Sequence, residues 1–361
     1  MTRLMLIGGF LGAGKTTLLN KLSDELRKKG DKVGLITNDQ APCLVDTVFL
    51  AKSNELVEEV SGSCFCCNYN GFTKAIANLV KSGANYILGE PVGSCTDLSA
   101  TILQPLKELE KDALKLEAFT VLVDPDRLGA ILANADAGLH ASALYIMRKQ
   151  LEEADIIAIS KADKLNSEIV SSLVERTQKL FPGKPVLAVS ALTGAGIEQL
   201  LAAADSIKKP GSHITEVDYD TYAEGEAVLG WLNLETALEK KGEDWNAFAK
   251  KLLTAIASRL ASEKIAIAHI KLFIDGPNGQ IIGNLTSDAD SITVAGSLPD
   301  ADAVTLILNA RAQTSPEQLL AEINSIFSSC CEADKIEHEA KNVNCLMPGR
   351  PNPTHRYNKV I

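Results

Sequence analysis

The chain has 361 residues, of which 46% are apolar and 23% charged, and a formal net charge of −10. Such a length and apolar share suffice for a full core and for two domains. The acidic balance excludes sequence-independent attachment to nucleic acid or to an anionic membrane, which relies on a basic surface, and leaves proteins and small ligands as the expected partners.

The chain opens with Arg3 and an apolar run to Leu11 that resembles the start of a signal peptide. Lys15 interrupts it and no small-residue cleavage pattern follows, so residues 2–8 read as a buried first strand. Further strand-like runs fall at 32–38, 86–90, 118–124, 155–160 and 185–190, with helical patterns such as 15–29 and 141–153 between them. This alternation, continuing to about residue 207, predicts an α/β fold of the P-loop NTPase kind, with a mainly parallel sheet covered on both faces. Residues 208–225 contain Pro210, Gly211 and several acids with little periodicity, and read as a linker. Beyond it, a strand at 226–233, a helix at 245–262, three or four strands within 266–311 and a helix at 315–328 predict a smaller C-terminal α+β domain, 226–329, with an antiparallel sheet. Pro348, Pro351 and Pro353 mark residues 330–361 as an extended or loosely packed tail.

Gly9, Gly12, Ala13, Gly14, Lys15, Thr16 and Thr17 form a complete phosphate-binding loop between a strand and a helix. Its backbone N–H groups are suited to cradle phosphates, Lys15 to neutralise the β and γ oxygens, and the Thr16 hydroxyl to hold Mg²⁺. Glu90, ending a predicted strand, is the candidate carboxylate for Mg²⁺, and Gly93 in Glu90-x-x-Gly93 the candidate γ-phosphate sensor. Asp39 is a second metal-side candidate in a loop expected to act as the other switch, and Gln40 lies beside it. Ser160-Lys161-Ala162-Asp163 followed by Ser190-Ala191 suits guanine: an aspartate accepts both N–H groups of the base edge while the lysine stem packs on its plane. Ser160 stands where GTPases normally carry asparagine.

Eight cysteines are spread unevenly, three of them at 64–67 and two adjacent at 330 and 331. That is poor spacing for disulfides and points to reduced thiols in a cytoplasmic protein. Cys64, Cys66 and Cys67 place three soft ligands on one tight loop, suited to Zn²⁺, Co²⁺, Ni²⁺ or Cu⁺, with one coordination position left open. Buried inert cysteines, a redox pair, or a structural site completed by Cys43 or Cys95 are the alternatives.

Together Gly8–Thr17, Cys64-x-Cys66-Cys67 and Glu90-x-x-Gly93 give the first domain a resemblance to the CobW family of P-loop GTPases, relatives of the nickel-insertion GTPases that mature hydrogenase and urease. The resemblance implies a slow GTPase using GTP and Mg²⁺ that binds a transition metal, zinc or cobalt foremost, through the cysteines. It implies release on hydrolysis to a client metalloprotein or corrinoid protein. An activator that remodels such a client without carrying metal is the alternative. No residue that positions the attacking water is evident, which leaves a client, K⁺ or a nucleotide-dependent dimer to complete the site. Cys95, in Ser94-Cys95-Thr96-Asp97, replaces the family's small-residue run and is a candidate fourth ligand; a packed loop cysteine is the alternative. The second domain lacks the histidine-rich stretch of zinc-handling relatives and reads as a client-recognition or regulatory module. Cys330, Cys331, His338, Cys345 and His355 match no zinc-finger spacing and read as surface or packing residues, His269 as a solvent-side sheet residue, and Trp231 and Trp245 as core or interdomain anchors.

Overall fold

Every residue of β1 (Thr2–Gly9) except Arg3 is buried, as a central strand covered on both faces requires. The computed structural model describes residues 1–40, 45–135 and 138–361. Around β1 lie β2 (Val33–Asn38), β3 (Val57–Val60), β4 (Tyr86–Glu90), β5 (Leu114–Leu116), β6 (Thr120–Val123), β7 (Ile156–Ile159) and β8 (Val186–Ala188). They form a parallel sheet in the order β3-β2-β4-β1-β6-β7-β8, with β5 also paired to β1. The predicted α/β architecture is borne out. Among the described residues, the α-helices that connect and cover these strands are α1 (Lys15–Lys28), α2 (Val45–Ser53), α3 (Tyr69–Lys81), α4 (Gln104–Leu109), α5 (Pro125–Ala133), α6 (Ala141–Glu153), α7 (Ser167–Leu180) and α8 (Ile197–Ser206). In such a sheet the ligand crevice lies beyond the carboxyl ends of the strands.

Where the sequence suggested a linker, the chain forms α9 (Tyr219–Ala227), started by Asp218, whose side chain accepts the Asp220 N–H at 2.9 Å. The helix is short and buries only Tyr222, Gly225 and Glu226, so it has no apolar stripe to announce it. Gly225 is pressed against α6, where a Cβ would stand 2.6 Å from the Ser142 carbonyl oxygen.

An antiparallel sheet follows, built from β9 (Gly230–Glu239), β10 (Ile267–Gly276), β11 (Gly279–Leu285), β12 (Thr293–Ser297), β13 (Ala303–Ala312) and β14 (Glu337–Leu346). Its order is β12-β11-β10-β13-β9-β14. Helices α10 (Trp245–Ser262) and α11 (Pro316–Asp334) cover one face, sharing a core with Ile270, Leu272, Ile274, Leu306 and Leu308. Strand alternation turns Phe273 and Ile307 to the other face, where they pack on Val45 at the start of α2. The second sheet therefore lies against the first domain through its free face.

The expected start of β9 at 226 moves to 230 because α9 runs on to Ala227. The C-terminal segment is also more ordered than its composition suggested. Cys330 and Cys331 are buried inside α11, and residues 337–346 add β14 to the sheet edge. Among the described residues no helix is long and apolar enough to cross a membrane.

Candidate nucleotide and metal site

A cavity of about 560 Å³ opens beyond the carboxyl ends of the parallel strands, within the ordinary size of a small-molecule site. Gly12 through Thr17, Asp39, Glu90, Gly93, Ser160, Lys161, Asp163 and Ala191 all line it. Gly9 and Ser190 stand behind its wall. Gly9, at φ +129°, has no room for a Cβ, which would fall 2.2 Å from the Leu122 carbonyl oxygen. The Ser190 hydroxyl accepts the Thr193 N–H at 3.1 Å and so shapes the turn that presents Ala191. Gly93 approaches the phosphate loop closely enough that a Cβ would lie 3.0 Å from both the Leu11 nitrogen and Lys15 Nζ. The loops singled out in the sequence thus gather around one cavity.

Charge is concentrated at the phosphate end. Lys15 Nζ lies 3.7 Å from Glu90 Oε1, and Thr16 Oγ1 lies 2.6 Å from Asp46 Oδ1 and 3.2 Å from Glu90 Oε1. Glu90 Oε2 is buried with no hydrogen-bond partner, an acceptor aimed into a site that suits a hard cation. Burial, and then the neighbouring Asp46 charge, push the Glu90 carboxyl up. Burial alone would raise Asp46 too, but the Lys271 ammonium and the Thr16 hydroxyl hold it below its usual value. Thr16, Asp46 and Glu90 are the residues available to hold Mg²⁺. Asp46 escaped the sequence reading, which took Asp39 as the switch-side carboxylate. Asp39 instead pairs with Arg311 of the second sheet at 2.9 Å, and Arg311 stacks 4.1 Å over the Trp231 ring.

Lys161 adopts a left-handed conformation and its Nζ bonds Asp124 at 2.7 Å, which tethers its stem at the cavity wall that Asp163 also lines. The Ser160 hydroxyl turns back to the Val123 carbonyl at 3.2 Å. The second domain supplies the far wall, including Trp231, His269, Lys271 and Asn284. His269 is buried, not solvent-facing as its alternation suggested, because the first domain covers that face of the sheet. Burial and the Lys271 charge hold it well below the usual imidazole range, hence neutral. Its ring meets Asn284 Oδ1 at 3.2 Å. Arg127 clamps the two domains, donating to the carbonyls of Leu11 at 3.1 Å and Ala268 at 2.8 Å.

The cysteine loop folds into a turn that leads into α3. Asn68 and Cys67 donate their N–H groups to the Cys64 carbonyl at 2.9 and 3.1 Å, and the Asn68 side chain caps the helix at Gly71. The sulfurs of Cys64, Cys66 and Cys67 lie within 4.8 Å of one another. Three thiolates on one metal at Zn–S distances of ~2.3 Å would stand about 3.8 Å apart. The Cys66–Cys67 separation of 3.9 Å fits this, and the Cys64–Cys66 pair at 2.9 Å has only to open slightly. Hydrogen bonds from Cys66, Cys67 and Cys95 hold Cys64 well below the usual thiol value, and the Cys64 interaction pushes Cys67 up to about 11. Cys95 is buried in the same core and lies outside the compact trio. Cys43 lies outside the described residues.

The model of the CobW/HypB/UreG nucleotide-binding domain matches residues 3–188. The chain belongs to this family. Its sequence is 30% identical over 182 residues to the zinc chaperone YeiR of Escherichia coli, covering 48% of this chain and 50% of that one. Over 192 residues it is 27% identical to the zinc chaperone CobW of Pseudomonas aeruginosa, covering 46% and 50% respectively. The solved structure of HypB from Helicobacter pylori in complex with nickel is 20% identical, with a TM-score of 0.42 over 60% of this chain and 91% of that one. The chain spans about half the length of the curated relatives it matches.

In this CobW/HypB/UreG family member the residues after β14 return to the cysteine loop. The Asn352 N–H meets Cys67 Sγ at 3.3 Å, and the Thr354 N–H meets the Cys66 carbonyl at 2.8 Å. His355 packs edge-on against Tyr69, with centroids 4.8 Å apart. Arg356 Nε and the Tyr219 hydroxyl each bond the buried Asp97 carboxylate at 2.7 Å. The prolines and polar residues of this segment signalled an extended backbone, and nothing in them named the cysteine loop as its neighbour.

Proposed function

We propose that this chain is a GTP-dependent metallochaperone: it takes a transition metal on Cys64, Cys66 and Cys67 as cargo and yields it to a client metalloprotein when GTP is hydrolysed. The observation that carries this reading is that cavity and thiol cluster share the ends of the same two strands. Asn38, closing β2 beside Asp39, donates to the carbonyls of Val60 at 2.7 Å and Ser63 at 2.8 Å and accepts the Phe65 N–H at 2.8 Å. Beyond β4, Gln150 Nε2 bonds the carbonyls of Gly93 at 2.9 Å and Cys95 at 2.7 Å, so a shift at the γ-phosphate sensor is passed to the backbone of Cys95. Zinc is the favoured cargo, given the relatives named zinc chaperones and the all-thiol donor set. GTP with Mg²⁺ held by Thr16, Asp46 and Glu90 is the proposed switch ligand, Asp163 the guanine reader, and Cys95 a fourth ligand in one nucleotide state.

Titration with Zn²⁺ and Co²⁺ under reducing conditions, with GTP, GDP and no nucleotide, tests the coupling. Tighter metal binding with GTP supports it; equal affinity in all three states would sink it. Burial of Cys64 and Cys66 among apolar residues favours one competing reading, an activator whose cysteines only stabilise the fold. In that case a triple Cys→Ser variant loses stability equally with and without nucleotide.

A further inference from the structure

The nucleotide cavity has a wall that comes from neither the phosphate loop nor the switches. Strand β10 is paired on both sides, with β11 and β13, and turns Lys271 toward the first domain. Lys271 Nζ donates to Thr16 Oγ1 at 3.2 Å and ion-pairs with Asp46. Its ammonium therefore stands among the groups assigned above to Mg²⁺ and phosphate, with Lys15 and Glu90 beside it. The strand beneath it is held in place by the Arg127 clamp to Leu11 and Ala268, while an exposed Lys52–Asp275 ion pair of 2.8 Å joins the domains away from the phosphate site.

Resting on the GTPase reading, we propose that Lys271 is a catalytic cation for GTP hydrolysis, supplied to the phosphate site by the second domain of the same chain. Phosphoryl transfer is accelerated mainly by placing positive charge where negative charge develops. Water adds to the γ-phosphorus, the bond from that phosphorus to the β–γ bridging oxygen breaks, and its electron pair leaves on the β-phosphate of GDP. The water protons pass to inorganic phosphate and solvent. Lys271 takes up no proton; it neutralises the charge building on the phosphate oxygens. A divalent cation held by Thr16 and Asp46 would take both present partners of the ammonium, and the flexible four-carbon stem of Lys271 would let it turn to the terminal phosphate. The second domain thereby fills the role sought in a client, K⁺ or a dimer.

The test uses the full chain and the variants Lys271→Ala, Lys271→Arg and Lys52→Ala. Single-turnover GTP hydrolysis is measured together with equilibrium affinity for GDP alone and for GDP with aluminium fluoride, a mimic of the transferring phosphoryl group. Lys271→Ala is expected to slow hydrolysis by about 10²-fold or more and to lose most of the extra affinity that aluminium fluoride confers, with GDP affinity kept within about threefold. Lys271→Arg should restore part of both, and Lys52→Ala should behave as wild type. Unchanged hydrolysis in Lys271→Ala overturns the proposal, as does a matching loss in Lys52→Ala, which would assign the effect to domain docking. A wild-type chain that binds but does not hydrolyse GTP overturns the GTPase reading itself and the proposal with it.

Discussion

Asn38 Oδ1 accepts the Phe65 N–H at 2.8 Å, tying the last residue of β2 to the middle of the cysteine motif. The same amide also donates to the Val60 and Ser63 carbonyls, so one side chain holds both flanks of the loop. Replacing Asn38 with alanine leaves three backbone groups without this partner, a cost of roughly 1–3 kcal/mol. We expect Asn38→Ala to bind GTP within a few-fold of wild type while the ratio of metal affinities with GTP and GDP falls toward one. Parallel nucleotide and metal titrations check this.

Asp39 and Arg311 form a buried ion pair between the domains. Arg311 Nη1 also donates to the Leu232 carbonyl at 3.0 Å, so the guanidinium anchors both its own sheet and the segment that follows β2. Removing one partner strands the other, at a cost of about 3–5 kcal/mol. Arg311→Ala should lower the unfolding free energy by that order in urea titration, and the double change Arg311→Met with Asp39→Asn should recover much of it.

Burial pushes Glu153 up from the ordinary 4.5 to about 8. The folded chain thus keeps a proton that the unfolded chain releases between pH 4.5 and 8, and stability from this group is lost as pH climbs through that window. The carboxyl holds the Ser99 N–H and the Thr96 hydroxyl, both at 2.9 Å, just beyond Cys95. Glutamine keeps an acceptor for the N–H and a donor for the hydroxyl without titrating. Between pH 5 and 8 wild type should lose roughly 3–4 kcal/mol more stability than Glu153→Gln, read from denaturant midpoints across that range.

Removing residues 348–361 takes away the Asn352 N–H from Cys67 and the strand of contacts that covers it. Cys67 is expected to react with a thiol reagent at least about tenfold faster in the shortened chain, as a thiol does when its access opens, with buried Cys331 unaffected. Mass spectrometry of the alkylated peptides distinguishes the two. Equal rates at Cys67 would show that the tail does not shield it.

The phosphate loop, Glu90, Gly93 and the cavity-lining segments at 160–163 and 190–191 could be picked out because each is a short run whose candidate chemistry is complete in neighbouring residues. Strand alternation likewise foretold both sheets. Asp46 was missed because it opens a short helix with no marker of its own, and Lys271 because its partner Thr16 is 255 positions away. His269 was misplaced for a related reason: alternation tells which residues share a face, and only tertiary packing tells what lies across it. The ordered end of the chain escaped because proline and polar residues signal extended backbone whether or not it is docked.

The 285 positions between Cys67 and Asn352 also separate them in time. At ~5–20 residues per second, the ribosome makes the thiol loop roughly 15–60 s before the segment that lies over it. The first domain can fold around its cysteines in that interval while they are still open to a metal donor or to an oxidant. Access to the sulfurs from solution is thus greatest on the nascent chain and declines once the second domain and its trailing residues have been made.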